Sequence, residues 1–116
     1  MNKIMLVGNL VKDPELVEIN GVEEACVRFT LAVRRNYKNS DGTVESDFFP
    51  VVMWGNKGKV IHKYLKKGDY ISVSGRLKTR TYEGKDEVKK YIVEVIADEF
   101  DFCGWRKKIA ENEDII

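Results

Sequence analysis

Residues 48–82 read FFPVVMWGNKGKVIHKYLKKGDYISVSGRLKTRTY, and their hydrophobic period changes twice. Over Phe48–Trp54 it is two: Phe49, Val51 and Met53 share one face, and Phe48, Val52 and Trp54 the other, as on a strand. Pro50 lacks a donor, which predicts an edge or a bulge there. Over Asn56–Lys67 the period lengthens. Val60, Ile61, Tyr64 and Leu65 fall on one side of a helix, with Asn56 placed to cap it and Gly68 to end it. Lys66 and Lys67 then occupy the last turn, where the helix dipole favours positive charge. Over Tyr70–Tyr82 the period returns to two. Ile71, Val73 and Leu77 point inward, and Arg76, Lys78, Arg80 and Tyr82 share the opposite face.

Outward from this strand–helix–strand unit, the pattern is all strand. Asn2–Leu10 is apolar, and Ile4–Val7 is apolar on both parities, which suits a strand covered on two sides. Asp13-Pro14-Glu15 turns the chain, Glu15–Ile19 is a short strand, and Asn20-Gly21 is a tight-turn pair. Cys26–Arg35 alternates cleanly, with Val27, Phe29, Leu31 and Val33 on one face and Arg28, Thr30, Ala32 and Arg34 on the other. Tyr37–Asp47 is a polar loop turning at Asp41-Gly42. A second turn, Glu83-Gly84-Lys85-Asp86, precedes a final strand over Val88–Phe102. The order is three strands, the first bent at its middle turn, then one short helix and two strands. That is the order of an OB-fold, a five-stranded Greek-key β-barrel with a helix between its third and fourth strands. The fold class is therefore all-β with one short helix. Residues 1–103 form a single domain, and 104–116 a short polar tail with an acidic end.

Bulk properties exclude several classes. The 116 residues suffice for one compact domain. Two cysteines, Cys26 and Cys103, cannot make a disulfide scaffold, and with the single His62 they offer no zinc-site spacing. No stretch is long enough to span a membrane, and no signal peptide is evident. The expected setting is the cytoplasm. Gly55-Asn56-Lys57-Gly58-Lys59 lacks the spacing and the Ser/Thr of a phosphate loop. The acidic residues are scattered or paired in turns, so no carboxylate cluster for a catalytic divalent metal stands out. No catalytic residue, metal or cofactor is expected. The net charge is only +1, so any binding of a polyanion must depend on where the charges sit.

They sit with rings. Arg76, Lys78, Arg80 and Tyr82 lie on one strand face, Phe48 and Trp54 on another, Arg28 and Arg34 on a third, and Tyr37 and Lys38 in the next loop. Single-stranded nucleic acid offers a phosphate at each nucleotide and flat unpaired bases, and a binder of any sequence meets these with cations and aromatic faces. Ordinary solvation of a half-buried sheet explains the lysines equally well. It explains three large rings on a solvent face badly, which leaves nucleic-acid binding, a subunit interface or a second sheet layer.

Four motifs in order carry a resemblance. Asn2-Lys3-Ile4-Met5-Leu6-Val7-Gly8-Asn9-Leu10 followed by Asp13-Pro14-Glu15 resembles the opening of the bacterial single-stranded DNA-binding protein family. Phe29-Thr30-Leu31-Ala32-Val33 is similar to its second strand. Trp54-Gly55, then Tyr64-Leu65-Lys66-Lys67-Gly68-Asp69, is similar to its third strand and helix end, and Gly75-Arg76-Leu77-Lys78-Thr79-Arg80 with Tyr82 to its fourth. The resemblance covers about residues 2–102. It implies an OB-fold, usually a homotetramer built as a dimer of dimers. It also implies sequence-independent binding and protection of single-stranded DNA, near the nucleoid, in replication, recombination and repair. It places stacking aromatics at Tyr37, Phe48, Trp54 and Tyr82, of which the first, second and fourth are often tryptophan in the family. It places phosphate contacts at Lys3, Arg34, Arg76, Lys78 and Arg80. The family's long linker is nearly missing here, but the chain ends in acidic then apolar residues. Glu113, Asp114, Ile115 and Ile116 are the expected docking tip for replication or repair proteins. The competing reading of another class is an accessory OB-fold module for protein interaction with little DNA affinity.

Overall fold

The structure is a computed structural model that describes residues 1–104. The expected docking tip at Glu113–Ile116 lies outside the described residues. Strands β1 (Ile4–Leu10), β2 (Glu15–Val17), β3 (Cys26–Arg34) and β4 (Ser46–Trp54) precede helix α1 (Gly55–Tyr64). Strands β5 (Tyr70–Glu83) and β6 (Lys89–Gly104) follow it. The sheet runs β1-β5-β6-β4-β3-β2, and β1 also pairs with β3 through Asn9 and Leu10, which closes a ring of five strands. β2 continues β1 past the turn, so the two are one bent strand of an OB-type barrel.

β1 pairs with β5 from Ile4 to Asn9 and reaches β3 only at its last two residues. To make that turn it must pass very close to β3. A methyl group at Gly8 would overlap the Ala32 carbonyl. The far seam of the ring is a short parallel pairing of Val51–Met53 with Val95–Ala97. Pro50 precedes this seam. It is paired with Thr30 of β3, and the β6 side of β4 is unpaired there, as the missing donor requires.

Inside the ring lies the core: Leu10, Val27, Phe29, Leu31, Val51, Met53, Ile71, Val73, Val95 and Ala97, closed at one end by Ile61 and Leu65. Ile4, Leu6 and Phe49 pack against it, whereas Met5 and Val7 are exposed, so β1 is covered on one side only within a single chain. The outer face carries a small second cluster of Cys26, Val52 and Ile96, with Val17 and Trp54 against it. Val52, which alternation points outward, is therefore only 5% exposed.

Four sequence expectations change here. The helix stops at Tyr64 rather than Lys67, because side chains capture the next backbone donors. Asp69 accepts the Lys66 N–H at 2.8 Å, and Asp13 accepts that of Lys67 at 2.8 Å. No side chain caps the helix start, where Trp54 is the N-cap residue, so Asn56 does not cap it. Val60 and Tyr64 are exposed, and only Ile61 and Leu65 of the expected stripe reach the core. Finally, Leu77 is 38% exposed. The register of β5 against β6 shifts between Ser74 and Gly75, and the paired strands then run out from the barrel as an arm. Asn2 extends the pairing there: its side-chain amide donates to the Leu77 carbonyl at 2.7 Å and accepts the Leu77 N–H at 2.9 Å.

Gly8→Ala tests the closure. Overpacking at a fixed backbone contact costs about 1–3 kcal/mol, so the variant should unfold at lower denaturant concentration. An unchanged midpoint would mean that β1 and β3 can separate without loss.

Candidate nucleic-acid interface

Cross-strand partners in a sheet point to the same side, so the register decides which residues share a surface. One row crosses four strands: Arg28 of β3 opposite Val52 of β4, Val52 beside Ile96 of β6, and Ile96 opposite Arg76 of β5. Charge stands at both ends and apolar surface in the middle. Alternation from this row puts Arg34 on β3, Phe48 and Trp54 on β4, and Lys78, Arg80 and Tyr82 on β5 on the same outer face. The irregularity in β5 precedes Arg76, so nothing reverses the facing along the arm.

Within this face, Trp54, Arg76 and Lys78 line one groove, together with Val22, Glu24 and Asp98. Trp54 packs against the Cys26–Val52–Ile96 cluster, which fixes its ring, and the rest of the ring faces the groove. Lys3 joins through Arg76, since both line the next recess. Arg80 lines a third recess with Arg28 and Lys12, and its Nε stands 3.7 Å from the largely buried carboxylate of Glu94. Phe48 is 63% exposed and Tyr82 43%, as flat surface open to a ligand on the strand and arm. Tyr37 is exposed on the loop between β3 and β4.

That loop is braced by a residue which sequence reasoning left unassigned. The Arg35 guanidinium donates to Asp47 through Nε at 3.1 Å and Nη2 at 2.8 Å, and to Glu45 through Nη1 at 2.7 Å. Its Cζ lies 6.0 Å from the centre of the Tyr37 ring. The hydrogen bonds from Arg35 hold the Asp47 carboxyl below the usual carboxylate range, against some opposing desolvation. The same pairing raises the Arg35 pKa further. At the loop tip, Asp41 accepts from the Thr43 hydroxyl and N–H, which lowers its pKa too. The signal for the brace was present: an arginine closing one strand, with acids ten and twelve residues on, where a hairpin returns. Lys12 had no signal, because only the fold brings its turn to Arg28 and Arg80.

Other groups are accounted for. Cys26 is buried beside Trp54, and burial pushes its thiol pKa up despite the nearby Arg28. Among the described residues, no group of three or more His, Cys, Asp or Glu side chains is placed to hold a metal ion. Among them, no helix is long and apolar enough to cross a membrane.

Comparison with known proteins identifies the family. Residues 1–103 match the model of the single-strand binding protein family. A single-stranded DNA-binding protein of Clostridium tetani is 45% identical over 108 residues, covering 93% of this chain and 74% of that protein. Single-stranded DNA-binding protein 1 of Clostridium acetobutylicum is 41% identical over 108 residues, covering 93% of this chain and 98% of that protein. Among solved structures, a Plasmodium falciparum SSB in complex with ssDNA superposes with a TM-score of 0.77 at 29% identity, covering 90% of this chain and 96% of that one.

The Arg35–Asp47 brace predicts a pH dependence. A carboxyl whose folded pKa is depressed lends stability that is complete above its unfolded value, about 3.9. That stability is lost as pH falls through the lower folded value. Asp47→Asn should therefore destabilise the protein at pH 7 and much less at pH 2, in denaturant titrations at both. Equal destabilisation at the two pH values would show that the ion pair contributes nothing.

Proposed function

The chain belongs to the single-strand binding protein family, and we propose that it coats exposed single-stranded DNA by stacking bases on its outer-face rings while its cations hold the phosphates. It binds single-stranded DNA and performs no chemistry on it. The observation that carries the residue assignment is the groove in which Trp54, Arg76 and Lys78 meet, a fixed ring beside two cations. In this reading Trp54 is the anchor, because its ring is already immobilised by the cluster beneath it and loses little freedom on binding. Phe48, Tyr82 and Tyr37 are further platforms, with Tyr37 held near the sheet by Arg35. Lys3, Arg76 and Lys78 contact phosphates at one end, and Arg80 and Arg34 along the rest of the face. Nothing in this mode reads base edges, so binding is independent of sequence. We place this activity in the cytoplasm, on DNA exposed by replication, recombination and repair.

Duplex DNA should bind far more weakly, because its bases are stacked on each other and out of reach of the rings. Trp54 fluorescence should fall on addition of oligo(dT), and affinity should fall with salt as condensed counterions are released. Equal affinity for duplex and single strand at moderate salt would overturn the reading. Trp54→Ala and Tyr82→Ala should each cost about 1–3 kcal/mol of binding where a base stacks. Circular dichroism should report a retained fold, with Trp54→Ala less stable because its ring also covers Val52 and Ile96.

We further propose a homotetramer, assembled as a dimer of dimers. What supports it is apolar surface that one chain leaves open. Met5 and Val7 on β1 are 81% and 58% exposed. Leu77, Val93 and Tyr91 are exposed together on the face of the arm away from the cations. Apolar patches of this kind on a soluble domain mark an interface. Sedimentation at micromolar concentration should show four chains, and a monomer alone would overturn the assembly. The acidic-apolar end at Glu113, Asp114, Ile115 and Ile116 we assign to partner docking. Its deletion should release replication or repair proteins in pull-downs while the barrel still binds DNA.

A further inference from the structure

From Gly55 to Gly68 the chain holds five lysines and His62, and no aspartate or glutamate. This lies in a chain whose net charge is only +1. Lys57 is occupied, paired with Glu99 and donating to the Asp98 carbonyl at 3.0 Å. Lys59, Lys63, Lys66 and Lys67 are exposed, and among the described residues they enter no ion pair. The carboxylates near the helix end, Asp13 and Asp69, accept backbone N–H groups from Lys67 and Lys66.

Lys59 and Lys63 are four residues apart and therefore neighbours on the helix surface. Like charges at that spacing repel each other across one turn of the helix, a repulsion that a bound polyanion would relieve. Beside them, Val60 and Tyr64 form a second such pair, 42% and 60% exposed. The Lys63 Nζ sits 5.2 Å from the centre of the Tyr64 ring. Cations with an exposed ring are the combination found on the barrel face. The two surfaces are also continuous, since α1 begins at the residue after Trp54. At 1.5 Å per residue, Lys63 lies only about 14 Å along the helix from that ring.

We infer that the exposed side of α1, with Lys59, Lys63 and Tyr64 and with Lys66 and Lys67 at its end, is a second binding surface for the sugar–phosphate backbone of a single strand that continues past Trp54. This rests on the single-stranded DNA reading above. Short strands fill the barrel face and leave the helix free. Longer strands reach it, and the helix adds affinity without adding sequence preference. An acidic protein surface is the other polyanion that could sit here. The continuity with Trp54 favours the nucleic acid.

The test compares the full chain with its Lys59→Gln/Lys63→Gln variant on two oligo(dT) strands. One has about 8 nucleotides, within the roughly 4–16 that an OB-fold covers, and the other about 40. Two lost phosphate contacts at about 0.7 each should lower the salt slope on the long strand by about 1.4, and weaken its binding about tenfold at 0.2 M salt. The short strand should bind as to the wild type, and Lys59→Arg/Lys63→Arg should restore the long-strand affinity. Unchanged long-strand binding by the glutamine variant would overturn the inference. So would an equal loss on both strands, which would place the lysines in the primary site. If the wild type bound neither strand, the underlying reading would fail instead, so the two failures are distinguishable.

Discussion

The structure depends on β1 serving two neighbours. Seven residues must pair with β5 along most of their length and still reach β3 at the end. This is sterically possible only where the backbones nearly touch, and a glycine stands at that point. Closure leaves no room for an open sheet. It bends β3, β4, β6 and β5 around one core and brings Arg28, Val52, Ile96 and Arg76 into a single row on the outside. A curved, continuous face with cations at its two margins is what a flexible polyanion can follow. The candidate surface is thus a by-product of closing the barrel, and where it crosses Val52 and Ile96 it lies directly over the core.

A second constraint acts on β5 and β6. Their register slips beside Gly75, where a methyl group would overlap the Ile96 carbonyl. Before the slip, β5 lines the core; after it, the two strands leave the barrel together. That divides one strand into a core-lining half, with Ile71 and Val73, and an outlying half, with Arg76 to Tyr82. Toward its tip the arm has no core of its own, so both its faces are largely exposed there. One face carries the cations and Tyr82, and the other carries Leu77, Tyr91 and Val93. A single departure from the barrel supplies both the cation-bearing face proposed to meet DNA and the apolar surface proposed for assembly.

Most of the fold was legible because local alternation and barrel geometry agree. Val27, Phe29 and Leu31 on β3, and Val51 and Met53 on β4, are buried as their parity requires. Parity failed where a second layer or a missing one intervened. Val52 points outward and is buried, because Trp54 and Val17 cover it. Leu77 points inward and is exposed, because the core ends at its cross-strand partner Val95. The helix was read one turn too long for a different reason. Leu65, Lys66 and Lys67 favour helix, but two aspartates distant in sequence or beyond the turn captured the next donors. The face itself was legible from alternation. The brace at Arg35 left a signal in its spacing from Glu45 and Asp47 that alternation does not read, and the meeting of Lys12 with Arg28 and Arg80 left none, since it depends on a turn whose geometry no periodicity encodes.

Charge placement explains how a nearly neutral chain can hold a polyanion. The cations and acids are almost equal in number but are unevenly distributed along the chain. Between Asp13 and Glu24 the chain carries five acids and no lysine or arginine, and this segment forms β2 and the turn beside it. The helix segment, by contrast, carries lysines and no acids. Glu24 and Asp98 stand in the same groove as Trp54, Arg76 and Lys78. At physiological ionic strength the field of an exposed charge decays over about 8 Å, so a phosphate responds to the charges beside it and hardly at all to the total. On the proposed reading, a strand is drawn to the arm and the helix and repelled from the β2 edge. Acids at the β2 edge leave the net charge low without lying beside Lys78 to Tyr82 on the arm tip or beside Lys59 and Lys63 on the helix, while Glu24 and Asp98 in the groove and Glu94 beside Arg80 locally offset the cations there.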